Sequence, residues 1–108
     1  MNKRKKSKNR RSNSSSLVDE HIESLDELIA IMILLRFNLT NRLKSEPSED
    51  LEKILSRLES CMSDIIITRR NIANTRSFDQ QKLNQIANEI AKIYALHKSF
   101  NATHKSNQ

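Results

Sequence analysis

The chain contains no glycine among its 108 residues and only one proline, Pro47. Average usage of about 7% glycine would supply roughly seven or eight. Glycine is the residue that most readily adopts the positive φ angles of hairpin turns and phosphate-binding loops. The sequence therefore argues against sheets joined by tight turns and against P-loops, and it predicts an all-α protein.

Breaks in the apolar pattern divide the chain into helices. Ser16 can cap a first helix, with Asp19 near its positive end, and Pro47 in "SEPSED" separates it from a second. We predict three helices at about 17–44, 48–75 and 79–100, forming a helical hairpin or a three-helix bundle. The predicted organisation is a disordered basic tail (1–16), a helical domain (17–100) and a frayed C-terminal tail (101–108).

Two capping patterns compete at the start of the third helix. Asp79 could be the N-cap, in which case Phe78 and Leu83 would form a hydrophobic staple around it. Ser77 with Gln80 would instead form a capping box two residues earlier. Both patterns predict a helix that begins within a turn of residue 79.

Eight consecutive apolar residues, Leu28 to Leu35, occupy the middle of the first predicted helix. At about 1.5 Å per residue they would cover roughly 12 Å, against a hydrocarbon core of about 30 Å, so they cannot span a membrane. We expect the second and third helices to pack around this helix and to leave part of Ile31, Ile33 and Leu34 exposed. The alternative is that the three helices close over the run completely.

Leucine and isoleucine recur every seven residues along the second helix, the spacing typical of a helix that packs lengthwise against another. Together with the apolar run they form the predicted partner interface. Its residues are Leu28, Ile31, Met32, Ile33, Leu34, Leu35, Leu51, Leu58, Ile65 and Ile72.

The positive net charge is concentrated at the N-terminus. Seven of the 19 Lys and Arg residues lie within the first eleven residues, before the first acidic residue, Asp19. They are Lys3, Arg4, Lys5, Lys6, Lys8, Arg10 and Arg11. The remaining twelve nearly balance the thirteen acidic residues. Such a tail is typical of a nuclear-import signal, of phosphate contacts with nucleic acid, or of a segment that only solubilises the chain.

Without aromatic residues in this tail to stack on bases, any binding of nucleic acid should be non-specific and salt-sensitive. A second basic cluster, Arg69, Arg70 and Arg76, lies near the predicted end of the second helix. We interpret it first as cations that complement the helix dipole, and alternatively as a contact for an acidic partner or for phosphates.

Residues with the spacing of a catalytic or metal site are not apparent. Cys61 is the only cysteine, and His21, His97 and His104 have no partner at metal-ligand spacing. We expect Cys61 to be a core residue and His97 to be half-buried in the third helix. The sequence predicts a protein without catalytic activity, cofactor, metal or small-molecule ligand.

The order of features resembles a known family. A polar N-terminus leads to "LVDEH", a Leu- and Ile-rich helix ("LIAIMILLRFNL"), a polar break, a second helix ("DLEKILSRLESCMSDIIITRRNIAN") and a shorter third helix. This layout, over about residues 17–100, is similar to the small helical subunit of fungal SWI/SNF chromatin remodellers, related to the synovial-sarcoma-translocation N-terminal homology region. The long Gln- or Asn-rich flanks common there are missing. Small subunits of Mediator, kinetochore or vesicle-biogenesis complexes have a similar layout.

The expected function is that of a non-catalytic helical subunit in a nuclear multiprotein complex, with the resemblance implying chromatin remodelling or transcription regulation. We expect its partners to be other helical proteins, with a hetero-complex favoured and a homo-oligomer as the alternative, and no membrane contact. The alternative is a small basic protein that binds nucleic-acid phosphates through its tail.

Overall fold

The computed structural model describes the backbone of residues 2–106 and the side chains of residues 16–103. It contains three helices, α1 (Asn2–Ser45), α2 (Glu49–Thr75) and α3 (Gln80–Ser106), and no strand within the described backbone. The predicted all-α fold with three helices is confirmed. The side chains of residues 1–15 lie outside the described residues, so the predicted disorder of residues 1–16 stays a prediction. Ser16 lies within α1, so the predicted cap and helix start at this residue were wrong.

The α1–α2 turn is closed by a serine cap. Ser48 has an extended backbone (φ −152°, ψ 131°), and its hydroxyl accepts a hydrogen bond from the Leu51 amide at 3.3 Å. Glu49, Asp50 and Glu52 place negative charge at the positive end of the helix dipole. Pro47 therefore precedes the cap and lies between the two helices.

Replacing Ser48 with alanine is expected to lower the free energy of unfolding by about 1 kcal/mol, because the amides of the first turn lose their acceptor. Urea unfolding followed by circular dichroism measures this change. Ser56→Ala, at an exposed position inside α2, is the matched control and should cost nothing. Equal losses from both variants would contradict the capping role.

A left-handed residue closes the α2–α3 turn. Arg76 has φ 56° and ψ 32°, and its amide donates to the Ile72 carbonyl at 2.8 Å. This conformation costs a non-glycine residue roughly 1–2 kcal/mol. A chain without glycine thus still uses a positive φ angle at this position, where the Arg76 guanidinium also contacts Asp19 at 2.8 Å.

Asp79 is the N-cap of α3, as one of the two sequence patterns predicted. Its carboxylate accepts from the Gln81 amide at 3.0 Å, and its carbonyl accepts the first helical bond, from Leu83. Phe78 and Leu83, the proposed staple pair, are both half-buried against the core. The Phe78 ring also lies 4.3 Å, centroid to centroid, from the ring of His21 in α1.

The third helix continues beyond its predicted end at residue 100. Phe100 is buried, and Asn101 accepts a hydrogen bond from the Arg42 guanidinium of α1. The Thr103 hydroxyl donates to the Ser99 carbonyl at 3.0 Å, one turn earlier. These contacts hold a turn whose sequence, "NATH", has no apolar period.

The central helix is α2, not α1. It packs along both neighbours, whereas no Cα atom of α1 lies within 8 Å of α3 in the described part of the chain. Our expectation that α2 and α3 would surround α1 was wrong, because only α2 presents buried residues to two helices. Its buried residues are Leu51, Ile54, Leu58, Cys61, Met62, Ile65, Thr68 and Ile72. Against them pack Val18, Leu25, Met32, Leu35 and Leu39 of α1, and Ile86, Ile90, Ile93 and Phe100 of α3.

Ion pairs along the edges of the α1–α2 and α2–α3 contacts show that neighbouring helices are antiparallel. Between α1 and α2 the pairs are Arg36–Glu59 (3.1 Å), Asp26–Arg69 (2.8 Å) and Asp19–Arg76 (2.8 Å). Between α2 and α3 they are Arg57–Glu89 (3.0 Å) and Asp64–Lys82 (2.9 Å). Each step back along one helix matches an equal step forward along the other. Exposed pairs of this kind contribute at most about 1 kcal/mol each, so the apolar seam provides most of the stability.

Candidate protein-interaction surface

Six of the ten residues predicted to form a partner interface lie in the core of this chain. They are Met32, Leu35, Leu51, Leu58, Ile65 and Ile72, all at most 8% exposed. Their side chains pack between α1, α2 and α3 and are not accessible to a partner in this fold. These six assignments are corrected, because the inward residues of α1 and the heptad repeat of α2 pack against each other within the chain. Leu28 is half-buried at the margin of the same core.

The other three predicted interface residues, Ile31, Ile33 and Leu34, are exposed at 45%, 51% and 64%. They do not form one surface. Ile31 and Ile33 flank the buried Met32 on opposite sides, since successive helical residues are about 100° apart. Ile31 and Arg42 are about three helical turns apart, so they lie on the same side of α1. Arg42 contacts α3 on that side.

The largest apolar exposure on α1 is on the side turned away from the core. Four residues at helical spacing lie there: Ala30, Ile33, Leu34 and Phe37, which we call the outer α1 surface. Phe37 is 63% exposed. Phe37 is three residues from Leu34 and seven from Ala30, and this spacing is the sequence signal that places it on the same side of α1.

Polar residues bound the outer α1 surface at both ends. Glu27 precedes it, and Asn41 and Lys44 follow it, all with exposed side chains. Among the described residues, neither Glu27 nor Lys44 is within ion-pair distance of an opposite charge, whereas Asp19 and Asp26 of the same helix pair with arginines of α2. The apolar surface therefore lies between an acidic and a basic side chain on one helix face.

Two apolar side chains of α2 are exposed at positions that the sequence did not indicate. Ile66 and Ile67 are 40% and 51% exposed, although they directly follow the fully buried Ile65. Ile66 lines a shallow depression with Met62 and Arg36 on the α1–α2 edge. Ile67 faces the opposite edge, where Asp64 and Gln85 of the α2–α3 seam lie beside it. No heptad signal marks these two positions.

The basic residues that the sequence singles out differ in their surroundings. Arg69 makes two hydrogen bonds to the Asp26 carboxylate, at 2.8 and 3.2 Å, and Arg76 contacts Asp19. Arg70 is exposed. Two arginines of the predicted basic patch thus complement carboxylates of α1. The seven basic tail residues, Lys3, Arg4, Lys5, Lys6, Lys8, Arg10 and Arg11, lie outside the residues with described side chains.

A small polar cluster joins α1 to α3 near the end of the bundle. The Arg42 guanidinium lies 4.8 Å from the centroid of the Phe100 ring and donates to Asn101. His97, half-buried as predicted, places its Nε2 atom 3.5 Å from the Asn101 amide nitrogen. Burial, together with the positive charge of Arg42, lowers the pKa of His97.

The lowered pKa of His97 predicts a loss of stability in mild acid. In the unfolded chain the pKa of histidine is about 6.5. The stability that neutral His97 contributes to the folded state is therefore complete above that pH, and it is lost as the pH falls through the lower pKa of the folded state. His97→Gln should flatten the pH dependence of unfolding between about pH 7 and 5, a range above most carboxyl titrations. Urea unfolding at several pH values measures this slope. An identical slope in both proteins would contradict the assignment.

Other chemistry is sparse in the described residues. No three His, Cys, Asp or Glu side chains there lie close enough together to hold a metal ion. Cys61 is buried, and its burial, with the charges of Glu89 and Asp64, raises the pKa of its thiol. None of the described helices is both long and apolar enough to cross a bilayer.

Comparison with known protein families, with curated proteins and with solved structures gave no match. The similarity to the small SWI/SNF subunit therefore stays a prediction drawn from the order of helices.

Proposed function

We propose that this protein is a non-catalytic helical subunit that joins a multiprotein assembly through the outer α1 surface. The observation that carries the proposal is the exposure of Ile33, Leu34 and Phe37 on a helix whose opposite side already completes the core. Clustered apolar exposure of this kind marks interaction sites more often than isolated apolar residues do.

The composition of the outer α1 surface suits a helix-packing interface. Burying a leucine or phenylalanine side chain contributes about 1.5–3 kcal/mol, so Leu34 and Phe37 would be its main anchors. Ala30, one turn before Leu34, lets a partner helix approach closely, and polar residues lie at both ends of the apolar surface. The anchors lie on a rigid helix, so little conformational entropy is lost on binding.

We further propose a nuclear location, supported by the basic tail, and a role in chromatin remodelling or transcription regulation, supported by the resemblance. The alternative, a nucleic-acid-binding protein, is weakened because Arg69 and Arg76 are paired with carboxylates of α1. Its remaining support is the tail and Arg70. Binding to DNA or RNA over a salt series, with and without residues 1–16, distinguishes this alternative, since phosphate contacts are lost as salt rises.

Affinity purification of the tagged chain from its own cells tests the proposal. Quantitative mass spectrometry should find a defined set of proteins with the wild type that Leu34→Asp loses at least tenfold. Ile67→Asp is the matched control, because Ile67 is similarly exposed but lies on α2. The control should retain the set. If Leu34→Asp also retains it, the outer α1 surface is not the docking site.

A further inference from the structure

The outward side of α1 carries a heptad seam of its own. Its residues are Glu27, Ala30, Leu34, Phe37, Asn41 and Lys44, all exposed and alternately three and four residues apart. The inward seam, Val18, Leu25, Met32 and Leu39, lies on the opposite side of the same helix and is buried against α2. The eight-residue apolar run is long because it belongs to both seams. A heptad seam exposed to water is the pattern of a helix that pairs with another helix.

We propose that the outer α1 surface binds a second copy of this chain, with the two α1 helices antiparallel about a two-fold axis between Leu34 and Phe37. The inference rests on the proposed function, since it names the occupant of that surface. The two-fold axis places Leu34 against Phe37 of the second copy, so the two largest exposed side chains of the seam cover each other. Each contact occurs twice.

The charges at the ends of the seam fit this pairing. In the same register Glu27 lies opposite Lys44 of the second copy, at both ends of the interface. Neither residue forms an ion pair within the described part of its own chain, unlike Asp19 and Asp26. A parallel pair would instead place Glu27 beside Glu27 and Lys44 beside Lys44, which is repulsive. The charge pattern therefore selects the antiparallel arrangement.

The remaining layer pairs Ala30 with Asn41 of the second copy. A small residue opposite a medium one allows the helices to approach, and a single polar residue in a seam fixes the register at some cost in affinity. The apolar layer is short, so we expect a dimer with a dissociation constant in the micromolar range.

Analytical ultracentrifugation of the purified chain with its charge-reversed variants tests the dimer. Glu27→Lys and Lys44→Glu should each weaken association at least tenfold, because each replaces two attractive pairs by two repulsive ones. The double variant restores opposite charges and should return to within about threefold of the wild type. Circular dichroism should show unchanged helicity, since both positions are exposed. A monomer at all concentrations up to about 1 mM, or a double variant weaker than both single variants, would overturn the proposal.

Cysteine cross-linking tests the orientation. With Cys61→Ala as background, a mixture of Ala30→Cys and Asn41→Cys proteins should form a mixed disulfide. Ala30→Cys alone should form none, since the two copies of residue 30 would lie about 16 Å apart along the seam. A disulfide between two copies of Ala30→Cys indicates a parallel pair and overturns the proposed arrangement.

The dimer and the proposed function can fail separately. If the pure chain is monomeric but Leu34→Asp still loses its co-purifying proteins, a different helix occupies the surface and only the dimer is excluded. If the charge variants behave as expected and no proteins depend on Leu34, the dimer stands and the assembly role fails.

Discussion

Replacing Ile65 with alanine is expected to lower the free energy of unfolding by about 2–5 kcal/mol. Ile65 is fully buried at the middle of α2, the helix that packs against both others. Truncation leaves a cavity that α2 cannot close by moving toward one neighbour without separating from the other. For a domain whose total stability is of the order of 5–15 kcal/mol, this is a large fraction.

Urea unfolding monitored by circular dichroism measures the effect, and Ile67→Ala is the matched control. Ile67 lies two residues away on the same helix but is 51% exposed, so its truncation should change stability by less than about 0.5 kcal/mol. The comparison keeps residue type, helix and helix propensity constant. Similar losses at the two positions would mean that α2 is not the central helix.

The starts of α2 and α3 could be predicted because they depend on local chemistry. Pro47 disfavours helix for the residue before it, and the Asp79 carboxylate accepts from the Gln81 amide only two residues away. Such signals need no knowledge of the rest of the fold. The extension of α3 past Phe100 could not be predicted, because it depends on a contact between Arg42 and Asn101, far apart in sequence.

The central position of α2 was not predictable for a related reason. The middle of α1 is apolar on every side, so its sequence does not show which side faces the core. For the same reason α1 was expected to be the helix that the others surround. Packing decides which side of α1 faces the core. Met32 and Leu39 are buried against α2, which leaves Leu34 and Phe37 exposed on the opposite side. Exposure of an apolar side chain is thus a property of the tertiary arrangement.

The charged residues show the same limit. Arg69 and Arg76 were interpreted as complements to the dipole of α2, which is a local effect. Their carboxylate partners, Asp26 and Asp19, lie on α1 and are brought opposite only by the antiparallel register of the hairpin. Once that register is known, the surface available to partners consists of the side chains that are buried in neither the α1–α2 contact nor the α2–α3 contact.

Met32→Lys and Leu34→Lys are expected to differ sharply, although the two residues are neighbours within one apolar run. Met32 is fully buried against α2, and a lysine there would place an unpaired charge in the core at a cost of about 3–5 kcal/mol. Leu34 is 64% exposed, and a lysine there should change the stability of the folded chain by about 0.5 kcal/mol or less.

Thermal and urea unfolding at low protein concentration, where self-association does not contribute, separate the two effects. Met32→Lys should lose most of its cooperative transition, while Leu34→Lys should unfold like the wild type and be more soluble. If Leu34→Lys were the more damaging variant, α1 would be rotated by half a turn from the arrangement described. The outward seam would then be the core, and the surface assigned to a second copy would belong to this chain alone.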